Sequence, residues 1–206
     1  MARGDAPVPP KRGMDAAMTK AGFATLETER LVLRPRTPAD LDAVMALNAD
    51  PAVMAHIAAP GDPAMGREAV AARSFAHLDR GLGYWTVLRR DAADVALGYV
   101  GLIPDGPDGE DVQLSYRFAA RHWGRGYALE AASRLVRHGF ETLALAAIGI
   151  VTHPDNAASL RLAERLGFTP AAPTDAATIG HPPVAAAHLR RTRSGWLADN
   201  PTPPAA

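Results

Sequence analysis

An α/β domain built on a mixed sheet is the architecture this sequence predicts, and three stretches predict it. Val112 to Phe118 alternates apolar and polar residues, as a strand with one buried face does. The chain then runs through a glycine-bearing loop, Arg121 to Tyr127, into apolar residues at helical spacing (Ala131, Ala132, Leu135, Val136, Phe140), followed by the compact buried-strand run Ala147 to Thr152. Strand, helix and strand in that order predict a parallel pair. Tyr84 to Leu88 and Ala96 to Leu102, joined by the polar turn Arg90 to Asp94, predict an antiparallel hairpin. Together they give a sheet with both kinds of pairing.

The remaining elements follow in order. Residues 1–24 are rich in Ala, Pro, Gly and charge without a sustained period, so a disordered arm is expected there, with Met14 and Met18 as alternative starts. Glu29 to Arg34 reads as a strand. Thr37-Pro38-Ala39-Asp40 supplies a cap, a first-turn proline and an acidic third position for a helix to about Asn48. Asp50-Pro51 opens a short helix to Ile57, and Asp62-Pro63 opens a third that is expected to reach Arg80 before Gly81 and Gly83 stop it. Pro104 to Glu110 is a loop by its Pro, Asp and Gly content. Pro154 to Ser159 leads into the helical run Leu160 to Leu166, closed by Gly167. Thr169 to Pro183 is expected to be a long loop with at most a short strand, Val184 to Thr192 a last strand, and Trp196 to pack on the body. One domain over residues 25–197 with a disordered tail at 198–206 accounts for the whole length.

Composition narrows the function. Twenty-two Lys and Arg balance twenty-two Asp and Glu, which leaves no net field to draw in nucleic acid or an anionic membrane. Zero cysteines exclude disulfides, thiolate nucleophiles and cysteine-bound metals, and fit a reducing compartment. No apolar run is long enough to span a bilayer, so a cytoplasmic protein acting on a small or local partner is expected.

The loop Arg121-His122-Trp123-Gly124-Arg125-Gly126-Tyr127 carries the chemistry. The first amides of a helix lack internal acceptors and stand at the positive end of its dipole, so a phosphate is held there by backbone alone. Gly124 and Gly126 allow close approach. A phosphate loop of the kinase or GTPase type requires Lys-Ser/Thr after the second glycine, where Tyr127-Ala128 stand. A dinucleotide fold requires an acidic end to the next strand, which here ends in Thr152-His153.

Three motifs in sequence resemble the GNAT superfamily of acetyl-CoA-dependent N-acetyltransferases, within it the RimJ/RimL-like (ribosomal-protein-alanine) branch: the opening Glu27-Thr28-Glu29-Arg30-Leu31-Val32-Leu33-Arg34; Arg121-x-x-Gly124-x-Gly126 followed by Tyr127-Ala128-x-Glu130-Ala131; and Asn156-x-x-Ser159 with Glu164-x-Leu166-Gly167-Phe168. The resemblance spans about Leu26 to Trp196. It implies a mostly antiparallel twisted sheet flanked by helices, with a V-shaped splay between two central parallel strands. It implies acetyl-CoA as co-substrate, no metal, and direct transfer to a primary amine, either a protein N-terminus or a small molecule. Branch members commonly dimerise, which admits a homodimer here. Amides from Trp123 through Gly124, Arg125, Gly126 and Tyr127 to Ala128 would hold the pyrophosphate, with Arg121 and Arg125 adding charge. Backbone groups of Tyr116, Arg117 and Phe118, with Asn156, would pair with the pantetheine. Ser159 would stand near the sulfur as general acid; Asn156 also reads as a plain helix cap and Ser159 as a small first-turn residue.

The base is where this chain departs from the pattern. Gln113 stands where many members carry Glu, and Leu189, beside His188, where many carry Tyr. Glu110, Asp111, His77, His122, His153 and Tyr116 remain as candidates, directly or through water. The same two departures support a rival reading, a coenzyme-A-binding sensor that has lost catalysis.

Overall fold

The computed structural model describes residues 23–105, 111–172 and 178–201. The expectations for residues 1–22, for 106–110 including Glu110, for 173–177 and for 202–206 lie outside these residues. Eight strands form one sheet in the order β1 (Leu26–Glu27), β2 (Leu31–Pro35), β3 (Gly83–Arg89), β4 (Ala92–Asp105), β5 (Asp111–Phe118), β6 (Ala147–Thr152), β10 (Ala187–Thr192) and β7 (Thr169–Pro170). A separate pair joins β8 (Thr178–Ile179) and β9 (Val184–Ala185).

Every neighbouring pair in the large sheet is antiparallel except β5 with β6, which are parallel and share a single bridge, Gln113 opposite Gly149. β5 is held along its length by β4, from Gly98 opposite Phe118 to Asp105 opposite Asp111, and β6 by β10, from Ala187 opposite Thr152 to Thr192 opposite Ala147. Each half of the sheet is therefore zipped to its outer neighbour, and the two halves diverge beyond the bridge. The splayed pair is the feature the resemblance implied.

The alternation in β5 works as its sequence requires. Val112, Leu114 and Phe118 enter a core under α4 (Tyr127–Glu141), where Ala131, Ala132, Leu135 and Phe140 are fully buried. α5 (Ala157–Arg165) adds Ala163 to it. The opposite face of β3 and β4 carries α1 (Leu41–Asn48), α2 (Pro51–Met54) and α3 (Arg67–Phe75), which bury Leu41, Val44, Val53 and Val70 against Tyr84 and Tyr99.

Four details differ from the sequence reading. The long helix expected from Asp62 to Arg80 is broken into a 3-10 turn at Pro63–Met65, α3, and a second turn at Leu78–Arg80, because Gly66 takes extended backbone at φ −70, ψ 160. The helix expected to reach Ile57 ends at Met54. Phe23, assigned to the arm, is buried in the core with its ring 4.4 Å from Trp85, so the packed chain begins at least two residues earlier. The segment around Trp196 forms α6 (Arg193–Asp199), capped by Thr192 Oγ1, which accepts from the amide of Gly195 at 3.2 Å. Thr192→Ala is expected to cost about 1 kcal/mol, the usual worth of such a cap, read as a lower midpoint in urea. Among the described residues no helix is long and apolar enough to cross a membrane.

Candidate active site

β5 delivers the chain to the loop in a fixed pose. After Phe118, Ala120–His122 form a 3-10 turn in which the amide of Trp123 donates to Ala120 O at 3.1 Å, while Trp123 Nε1 donates back to Phe118 O at 2.8 Å. The amide of Trp123 is thus already used, which corrects its expected place in the phosphate cradle; its indole pins the loop instead. Gly124 and Gly126 have φ of +72 and +78, backbone that side chains with a Cβ rarely adopt, and Gly126 caps α4 without a side chain. Among the described residues the amides from Gly124 to Leu129 meet no backbone acceptor. This is a donor set that fits a pyrophosphate.

The surrounding charge agrees. Arg121, ahead of the glycines, and Arg125, between them, are both exposed. Burial pushes the His122 imidazole below its usual range, and the positive charge of Arg121, Arg125 and Arg89 pushes it further the same way. His122 is therefore held neutral in a field that favours an anion.

A cluster that sequence reasoning passed over ties two of the motifs together. Glu130, in the first turn of α4, accepts from Thr28 Oγ1 at 2.6 Å and from the amide of Arg30 at 3.0 Å, and forms an ion pair with the Arg30 guanidinium at 2.6 Å. Arg30 also donates to Arg125 O at 3.1 Å and lies over the Tyr127 ring. The opening motif thus fastens the helix end that presents the loop. The signal was present as Thr28, Arg30 and Glu130 in two quoted motifs; their meeting across the fold was not.

Burial pushes the Glu130 carboxyl up, but the hydrogen bonds from Thr28 and Arg30 and the charge of Arg30 together hold it below its ordinary value of 4.5. Its contribution is fully present above that unfolded-state value and is lost as pH falls through the lower folded one. Glu130→Gln is expected to cost roughly 1–2 kcal/mol at pH 7, allowing for the half-exposed partner, and the gap to wild type should close in denaturant titrations as the pH is taken down past the ordinary carboxyl value of 4.5 and through the lower folded one.

The splay holds the second group of residues. The Tyr116 hydroxyl and Ser159 Oγ are 2.6 Å apart where β5 faces α5, and Ser159 is buried. Burial pushes the Tyr116 phenol above its usual range, an effect the Ser159 hydrogen bond only partly offsets. Asn156 Oδ1 accepts from the Ser159 amide at 3.1 Å, so Asn156 does cap α5, leaving its Nδ2 unused by the cap. Arg117 turns to the other face, where it bonds Asn48 Oδ1 in α1, so only its backbone faces the gap between β5 and β6.

Candidates for the base are scattered. His153 Nδ1 accepts from the amide of Asp155 at 3.1 Å, which puts the ring proton on Nε2, and the ring lies 5.0 Å from His56. His77 belongs to the α3–β3 connection. Leu189 points into the core. On the open face of β5, β6 and β10 a cavity of about 310 Å³ is lined by Asp105, Asp111, Gly149, Val151, His188 and Arg190, among others.

The profile of the Acetyltransferase (GNAT) domain family matches residues 30–169. The uncharacterized N-acetyltransferase YoaA of Bacillus subtilis is 32% identical over 149 residues, covering 71% of this chain and 83% of its own. An acetyltransferase from Agrobacterium tumefaciens superposes with a TM-score of 0.68 at 30% identity, over 81% of this chain and 93% of that one. RimL, a ribosomal L7/L12 alpha-N-protein acetyltransferase solved with coenzyme A, shares the fold with a TM-score of 0.67 at 16% identity, over 83% and 99% of the two chains. Matched by the family's profile over well more than half its length, the chain belongs to the GNAT acetyltransferases, which draw the acetyl group from acetyl-CoA.

Proposed function

We propose that this protein transfers the acetyl group of acetyl-CoA directly to a primary amine in the cytoplasm. The observation that carries the reading is the line formed by three features: unengaged amides at Gly124 to Leu129, a gap opening beyond Gln113 and Gly149, and the Tyr116–Ser159 hydroxyl pair beside that gap. The loop amides and Arg121 and Arg125 hold the pyrophosphate. The backbone of Tyr116 to Phe118 along the unpaired edge of β5 orients the pantetheine, and an amide there stabilises the negative charge that grows on the thioester oxygen. As the amine's nitrogen bonds to the acetyl carbon and the C–S bond breaks, the hydroxyl pair supplies a proton to the departing sulfur.

The acceptor is either the α-amine of a protein N-terminus or a small-molecule amine. The test is thiol release from acetyl-CoA in the presence of glycine, alanyl-alanine, spermidine or kanamycin. Turnover with an amine supports the reading and ranks the acceptor class. Tight coenzyme binding without turnover on any of them assigns the fold to acyl-CoA sensing, the rival that Gln113 and Leu189 suggest.

A further inference from the structure

We propose that His188 takes the proton from the acceptor amine, the role that Gln113 cannot fill. This rests on the acetyl-transfer reading above. Alternation along β10 decides which way each side chain points: Leu189 is buried in the core, so His188 and Arg190 stand on the open face of the sheet. His188 is level with Val151, two residues past the bridge between Gln113 and Gly149, where β5 has already parted from β6. The cavity of about 310 Å³ runs from Asp111 on β5 across Gly149 and Val151 to His188. β5 lines it with Asp111 and Val112, just ahead of the bridge, while Val151 and His188 line it on the side where the strands part, and its volume admits an amine and a bridging water.

Gly149 points to the same route. A Cβ built there would meet only Leu189 O and Val112 O, each at 3.8 Å, which is ordinary contact. Packing therefore does not demand glycine at the crotch of the splay; its lack of a side chain keeps the floor of the cavity clear between the reacting carbon and His188. Among the described residues no hydrogen bond engages the His188 ring, whereas the Nδ1 lone pair of His153 is occupied by Asp155, His122 sits among the loop arginines, and the Tyr116 hydroxyl lies on the opposite face with Ser159. The charged groups lining the same cavity are Asp105 on β4, Asp111 on β5 and Arg190 on β10. The two carboxylates favour entry of an ammonium ion; the imidazole takes one proton from it, which frees the nitrogen lone pair for attack, and passes that proton to solvent at the cavity mouth, while the second proton leaves the nitrogen as the tetrahedral adduct collapses and balances the one given to the departing sulfur.

The experiment compares wild-type protein with His188→Asn and His188→Ala, using acetyl-CoA and the four amines above. The expected result for His188→Asn is a fall in kcat of about 100-fold, with coenzyme A affinity and melting temperature unchanged and the acid limb of the pH–rate profile lost. Added imidazole should restore part of the rate to His188→Ala. Wild-type turnover by His188→Asn overturns the assignment, as does a loss that imidazole does not restore and that leaves the pH profile intact. No turnover by the wild-type protein on any amine overturns the acetyl-transfer reading itself, and the role of His188 with it.

Discussion

Gly124→Glu is expected to lower coenzyme A affinity by about three orders of magnitude while leaving the fold intact. Three effects act together. At φ +72 a side chain with a Cβ is strained by roughly 1–2 kcal/mol, which the free loop sheds by leaving this pose and must take up again when coenzyme binds. A carboxylate placed among the free amides competes for them and repels the phosphates. Each charge-assisted hydrogen bond lost to the pyrophosphate removes a further ~1.5–3 kcal/mol. A total near 4 kcal/mol corresponds to about a thousandfold. The fold should tolerate the change because a Cβ at Gly124 meets nothing within 4 Å, in contrast with Gly126, where it would lie 3.4 Å from Arg30 Nη2. Gly124→Asn separates the causes, since asparagine enters left-handed backbone readily and carries no charge; it should keep most of the affinity. Calorimetric titration with coenzyme A reads both variants, and wild-type affinity in Gly124→Glu would remove the phosphate site from this loop.

The loop was legible in the sequence because its chemistry is local. A strand period of two, two glycines and a helical period lie within thirty residues, and backbone amides at a helix start need no distant partner to be recognised. The splay was legible only through resemblance, since it depends on how β5 and β6 are zipped to β4 and β10, which no local pattern encodes. What stayed hidden was tertiary. Glu130 is 102 residues from Thr28 and 100 from Arg30 in sequence, and the three meet in one hydrogen-bonded cluster. The helix expected from Asp62 to Arg80 carries good local signals that Gly66 overrides. At the last strand the alternation of Ala187 to Thr192 already separates His188 from Leu189, but only the burial of Leu189 shows which of the two side chains turns to the core and which to the open face.

Tyr116→Phe and Ser159→Ala are each expected to lower kcat about 100-fold with little change in coenzyme affinity, and the double variant should be no slower than the slower single one. In the proposed transfer a proton reaches the departing thiolate through a pair of hydroxyls rather than through either alone. At 2.6 Å the two oxygens share one strong hydrogen bond in a site where Ser159 is 7% exposed and burial holds the phenol protonated. Either hydroxyl can be the donor to the other, so removing one leaves its partner without the group that holds its orientation and replaces its proton. Groups that act as a unit give non-additive losses. Both changes are conservative for the fold: phenylalanine keeps the ring in its packing, and the α5 cap runs from Asn156 Oδ1 to the Ser159 amide, which alanine retains. Steady-state kinetics on the wild type, the two single variants and the double variant, with KM for acetyl-CoA measured in each, distinguishes a relay from two binding contacts. Losses that multiply in the double variant, or that fall on KM rather than kcat, would make Tyr116 and Ser159 separate contacts to the coenzyme and leave the thiolate to be protonated by water.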